Sequence, residues 1–137
     1  MIFLDTNVIA ESMRRTPEPR VIDWLIVHDA EVAVSTVVMA EIVFGIEKIR
    51  LEERSSALWA QLLARRERFE DRIFAFDEEA ALVFGRIQGR ASRQGHLLAP
   101  LDAMIAAIAL RHEAALATRN VRDFDVPDLR VIDPWSA

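Results

Sequence analysis

The sequence predicts an α/β fold, a mostly parallel sheet of four to five strands covered by helices, and three observations carry that expectation. Short apolar runs alternate with segments of helical periodicity along the whole chain, the order expected of parallel strands joined by helices. The first run, Met1 to Leu4, is apolar at every position, as in a strand covered on both faces. Finally, 52% hydrophobic residues with only 4 Gly and 5 Pro in 137 positions suffice for one packed domain over residues 1–137. No linker, repeat or low-complexity segment interrupts it.

The first strand ends at Asp5, and Val8, Ile9, Ser12 and Met13 begin a first helix. Thr16-Pro17-Glu18-Pro19 breaks the pattern, after which Val21, Ile22, Trp24, Leu25 and Ile26 form a second helix ending near His28-Asp29. Glu31 to Ser35 reads as the second strand. Ser35 or Thr36 caps a third helix reaching about Arg50, and a fourth runs from about Glu52 to Glu70 with Leu58, Leu62, Arg66 and Phe69 along one side. Arg72 to Phe76 is the third strand. Asp77 then caps a fifth helix whose first-turn acids, Glu78 and Glu79, suit the helix dipole, and whose inward residues are Ala80, Val83, Phe84, Ile87 and Ala91. Gly95 ends that helix, Pro100 starts a sixth, Ala114 to Thr118 is the fourth strand, and Arg130 to Ile132 is a short fifth.

Composition removes several chemistries. The absence of Cys excludes disulfides, thiolate nucleophiles and Cys-ligated zinc. No apolar run approaches the roughly 18 to 20 residues that cross a bilayer, and no basic leader precedes an apolar segment, so a soluble cytoplasmic protein without membrane association is expected. The net charge of -5 opposes a general polyanion-binding surface. Yet Lys48 is the only lysine, and every other basic side chain is Arg, the shape best suited to bidentate phosphate contacts. Neither a Gly-x-x-x-x-Gly-Lys loop nor a Gly-x-Gly-x-x-Gly turn follows any strand, so nucleotide-cradling folds lack their key element.

Acids stand where a core would place apolar groups. Asp5 lies at the carboxyl end of the first strand, where open α/β sheets bind ligands, although taken alone Asp5 or Thr6 reads first as a helix cap. Glu41 has Val37 and Val38 one turn before it and Phe44 and Gly45 one turn after, which turns it inward, too deep for a cap. Asp102 shares a face with Ile105, Ala106 and Ala109, while Pro100 at the first helical position also makes it a third-position acid favoured by the dipole. After the fourth strand, Thr118-Arg119-Asn120-Val121-Arg122-Asp123 repeats the placement of Asp5, with Asn120 and Asp123 open to a capping role.

Gathered at one sheet edge, these carboxylates require a counter-charge, because each raises the pKa of the others. Hard divalent cations with oxygen ligands supply it, and the lack of Cys or clustered His favours Mg²⁺ or Mn²⁺ over Zn²⁺. His28, His96 and His112 are scattered and read as surface or packing residues. Such a cation suits phosphodiester hydrolysis by an activated water.

Four motifs in order, Leu4-Asp5-Thr6-Asn7-Val8-Ile9, Ala40-Glu41-Ile42 with Gly45, Leu101-Asp102-Ala103-Met104-Ile105-Ala106-Ala107 and Ala117-Thr118-Arg119-Asn120, resemble PIN-domain ribonucleases over the whole chain. Among these, the chain looks most like the VapC toxins of toxin-antitoxin pairs, in particular the FitB-like group, to which the Asp133-Pro134-Trp135 ending is also similar. The resemblance implies a three-layer α/β/α PIN domain in which Asp5, Glu41 and Asp102 ligate Mg²⁺ or Mn²⁺ and a metal-bound water cuts single-stranded RNA. It further implies that Thr6 and Thr118 support the ligating carboxylates, with Asn7, Arg119 and Asn120 beside the site or on the substrate. Many relatives carry an acid where this chain has Asn120, so either Asp123, displaced by a turn, supplies the fourth carboxylate or a second metal binds only with substrate. The implied partners are an RNA substrate and a cognate antitoxin, in a homodimer or a toxin-antitoxin hetero-oligomer. An antitoxin segment would lie along the third and fourth helices, where Phe44, Ile46, Ile49, Trp59 and Leu63 could line a groove, and Arg14, Arg15, Arg119 and Arg122 are candidate phosphate contacts. The competing readings are a non-catalytic module that docks a basic partner segment, and a DNA nuclease or other metal-dependent phosphodiesterase.

Overall fold

The computed structural model describes all 137 residues. Five strands, β1 (Ile2–Leu4), β2 (Val32–Ser35), β3 (Ile73–Phe74), β4 (Ala115–Ala117) and β5 (Val131–Ile132), form one sheet in the order β3-β2-β1-β4-β5, with every adjacent pair parallel. Every residue of β1, β2 and β4 is buried, and because successive side chains point to opposite faces, both faces of the sheet are covered. The edge strands β3 and β5 are half-buried and only two residues long, so the expected third strand, Arg72 to Phe76, is trimmed at both ends. Arg72 instead closes a 3-10 turn, Glu70–Arg72.

Six helices supply the cover: α1 (Thr6–Ser12), α2 (Pro19–Val27), α3 (Thr36–Lys48), α4 (Arg54–Arg68), α5 (Glu78–Arg93) and α6 (Pro100–Arg111). Their starts follow the local chemistry. Ser35 accepts the Val38 N–H at 3.2 Å to open α3, and Asp77 accepts the Ala80 N–H at 2.8 Å to open α5. Pro occupies the first turn of α2 and of α6. Past the end of α5, Gly95 takes a φ of +78°, which allows the His96 N–H to reach back to the Ala91 carbonyl at 2.8 Å.

The core joins Phe3, Leu4, Val8, Val38, Ile105 and Leu116. Two inward assignments differ from the sequence pattern. On α4 the half-buried basic residue is Arg65, not Arg66, because its guanidinium donates to the Ser12 carbonyl at 2.9 Å and the Ser12 hydroxyl at 3.2 Å. On α3, Phe44 is 65% exposed, so Glu41 sits at the border of the buried face rather than at its middle. His112 packs against Phe3 and Phe74, with ring centroids 5.7 and 4.6 Å away, as expected of a packing histidine.

Candidate active site

The order of strands places the reversal of connection direction between β1 and β4, the position at which open α/β sheets form a crevice. Their register sets Leu4 beside Ala117, so the next residues outward, Asp5 and Thr118, meet at the carboxyl edge. The Thr118 hydroxyl donates to Asp5 Oδ2 at 2.7 Å, the Asn7 amide donates to the same oxygen at 3.2 Å, and the Thr6 N–H donates to Oδ1 at 2.8 Å. Asp5 therefore flanks the start of α1 and is bound from β4 as well. Thr118 is completely buried, and its oxygen accepts the Asn120 N–H at 3.0 Å. Asn7 Oδ1 accepts the Arg119 N–H at 3.2 Å, so Asn7 and Thr118 bracket the two loops that leave β1 and β4.

Two more carboxylates approach this bracket. Glu41 Oε1 accepts the Thr6 hydroxyl at 2.7 Å, which ties α3 to the start of α1. Asp102, in the first turn of α6, makes no side-chain hydrogen bond, and because no fully buried side-chain oxygen lacks a partner, its half-buried carboxylate keeps some contact with solvent. Burial and the charges of Asp5, Asp123 and Glu41, in that order, raise the Asp102 carboxyl to about 6. Burial likewise raises Asp5, Asp123 adds to the rise, and the bonds from Thr118, Thr6 and Asn7 oppose it. Asp123 is exposed, on a 3-10 turn, Val121–Phe124, that is pinned by buried Phe124.

None of Asp5, Glu41, Asp102 and Asp123 takes part in an ion pair with Arg, Lys or His. No three of them stand close enough in this structure to close a coordination shell by themselves. An all-oxygen donor set with uncompensated charge and room for water fits a hard divalent cation that keeps several waters, as Mg²⁺ does. Asp5, Glu41 and Asp102 are the side chains that could hold such an ion, with Asp123 as the fourth acid.

The PIN-domain family model matches residues 2–128. The chain belongs to the PIN-domain family. It is 35% identical over 139 residues to the toxin FitB of Neisseria gonorrhoeae, covering 98% of this chain and 99% of that one. To the VapC ribonuclease Y4jK of Sinorhizobium fredii it is 29% identical over 137 residues, covering 98% of each. Its fold superposes on the crystal structure of FitAcB from Neisseria gonorrhoeae with a TM-score of 0.87, at 34% identity over 100% of both chains.

Within this PIN domain the sequence candidates part company. Asp5, Glu41, Asp102, Asp123, Thr6, Asn7 and Thr118 are brought to one edge. Asn120 contributes its backbone N–H, not its exposed side chain, so the fourth charge comes from Asp123. Arg119 also enters through its backbone, while its guanidinium lies over the Trp135 ring at 5.1 Å. Arg14 pairs with Glu11 at 3.0 Å and is not a free phosphate contact. Of the expected groove residues only Ile46 lines the cleft beside α3 and α4; Phe44, Ile49, Trp59 and Leu63 do not, and Ala10, Met13, Ile42 and Leu58 line it instead, together with Arg14, Arg15 and Arg54. The sequence reading missed Glu11, a buried acid satisfied by Arg14 and by the Glu18 N–H at 3.0 Å. Its spacing of three from Arg14 was the available signal, and it marks Glu11 as structural.

Proposed function

We propose that this PIN domain is a Mg²⁺- or Mn²⁺-dependent endoribonuclease that cuts single-stranded regions of RNA and acts as the toxin of a toxin-antitoxin pair. The observation that carries this reading is Asp102, a half-buried carboxylate raised to about 6 among three other acids with no cationic side chain to compensate them. A structural acid such as Glu11 has an arginine and a backbone N–H, whereas these four have neutral donors or none. The kinship with a VapC ribonuclease supports RNA as substrate, and that with the toxin FitB supports the toxin role.

In this reading Asp5, Glu41 and Asp102 would hold the ion, and Asp123 adds negative charge that would help to hold a second one. When bound, the ion lowers the pKa of a coordinated water and neutralises charge on the scissile phosphate. Thr118 and Asn7 fix the rotamer of Asp5 and Thr6 fixes that of Glu41, so two of the three carboxylates would be oriented without the ion, whereas Asp102 has no such partner. The antitoxin reading fits a cleft of about 740 Å³ between α1, α3 and α4, lined by Met13, Ile42, Ile46 and Leu58 and extending to Thr6.

The test is cleavage of structured RNA in Mn²⁺ by the wild type, Asp5→Asn and Asp102→Asn, with circular dichroism as a fold check. Loss of about two orders of magnitude or more in both folded variants is expected, the scale of removing a charge-stabilising group from an active site. Equal cleavage by the variants would refute the reading, and equal cleavage of matched single-stranded DNA would refute its RNA preference.

A further inference from the structure

A second cavity, of about 600 Å³, opens beside the carboxylates, separate from the apolar cleft. Asp102, Asp123 and Asp125 line it together with Arg90, Gln94 and Arg122. Arg90 comes from the last turn of α5 and Arg122 from the turn after β4; α6 touches both elements and so brings them to one cavity. Although they share the cavity with three acids, neither Arg90 nor Arg122 forms an ion pair. Opposite charges therefore line one cavity without neutralising each other.

A phosphodiester chain explains both signs. Its scissile phosphate belongs near Asp102 and Asp123, where a cation would screen it. The adjacent phosphate lies beyond that screening and would be repelled by Asp102, Asp123 and Asp125 unless a guanidinium receives it. We propose that Arg90 and Arg122 bind the RNA phosphate next to the one cleaved, making this cavity the track by which the substrate strand leaves the carboxylates. The inference rests on the endoribonuclease reading above, and it assigns the strand to the α5 side of the site rather than to the apolar cleft.

Arg90→Gln, Arg122→Gln, the double variant and an Arg66→Gln control, which alters an unpaired arginine on α4, separate the possibilities. Metal-free binding of a labelled single-stranded oligoribonucleotide is read by anisotropy across a salt series, and cleavage is read in Mn²⁺. Each cavity variant should bind about 3- to 10-fold more weakly and lower the salt slope by about 0.7, the value for one phosphate on a single strand, with the control unchanged. In cleavage, KM should rise by a similar factor while kcat stays within about twofold, since the contact is made in both ground and transition states. If RNA binding by the cavity variants matches that of Arg66→Gln, the track is refuted and the endoribonuclease reading stands. If binding responds as expected but the wild type cleaves nothing in Mn²⁺, the track stands as an RNA site and the endoribonuclease reading fails. Weakened antitoxin binding with unchanged RNA binding would make the cavity a protein-docking surface and overturn the proposal.

Discussion

Asp102 bears the electrostatic cost of the site. Its carboxyl is raised from an ordinary 3.8 to about 6, first by burial and then by Asp5, Asp123 and Glu41. Because the folded state holds this proton more tightly than the unfolded chain, the metal-free protein keeps its full stability, as far as this group is concerned, below about pH 4. It loses that contribution as pH rises through 6. A shift of about two pH units corresponds to about 3 kcal/mol at most, and solvent access trims this to about 2 kcal/mol. Asp102→Asn should therefore raise the melting temperature of metal-free protein at pH 7 by several degrees while leaving it unchanged at pH 4, as measured by calorimetry without divalent ions. Thr118 is the opposite case, a buried hydroxyl with every bonding position used. Thr118→Val leaves Asp5 short of a donor and strands the Asn120 N–H, so it should cost about 1 to 3 kcal/mol in urea unfolding and about 10- to 100-fold in cleavage. The charges of Asp5, Glu41 and Asp102 were legible in the sequence because apolar neighbours at helical or strand spacing exposed them. That the Asp123 charge reaches Asp102 was not, since it depends on how buried Phe124 pins the turn.

The helices deliver these groups through their caps and latches. Ser35 opens α3, and α3 holds Glu41 one and a half turns later. Ser35→Ala should lower stability by about 1 kcal/mol through the lost cap and weaken Mn²⁺ binding as Glu41 loses its fixed position, measurable by urea melts and calorimetric titration of the same preparation. Arg65 performs a comparable service for α1, bonding the Ser12 carbonyl and hydroxyl from α4. Arg65→Met should cost about 1 to 3 kcal/mol in thermal or urea unfolding, because it leaves the end of α1 without this donor. The helices and strand cores were readable from periodicity, caps and prolines, and their ends shifted by one or two residues. The exchange of Arg65 for Arg66 and the outward Phe44 were not readable, because both depend on which neighbouring helix meets the face, a long-range fact that local spacing does not contain.

The parallel order β3-β2-β1-β4-β5 turns scattered motifs into one edge, since the first and fourth strands are neighbours although more than a hundred residues separate them. Alternating strands and helices foretold a parallel sheet covered on both faces, whereas the pairing of β1 with β4 emerges only in three dimensions. If Asp102 holds the proposed ion, metal binding and proton binding oppose each other there, so divalent ions should stabilise the protein strongly at pH 7.5 and scarcely at pH 5. Calorimetric titration of Mn²⁺ into the wild type and Asp102→Asn at these two pH values tests the central claim most directly. Saturable binding by the wild type at pH 7.5, weakened at pH 5 and absent in folded Asp102→Asn, is the expected result. Equal Mn²⁺ binding by both proteins, or none by the wild type at pH 7.5, would contradict the assignment of these carboxylates to a catalytic metal.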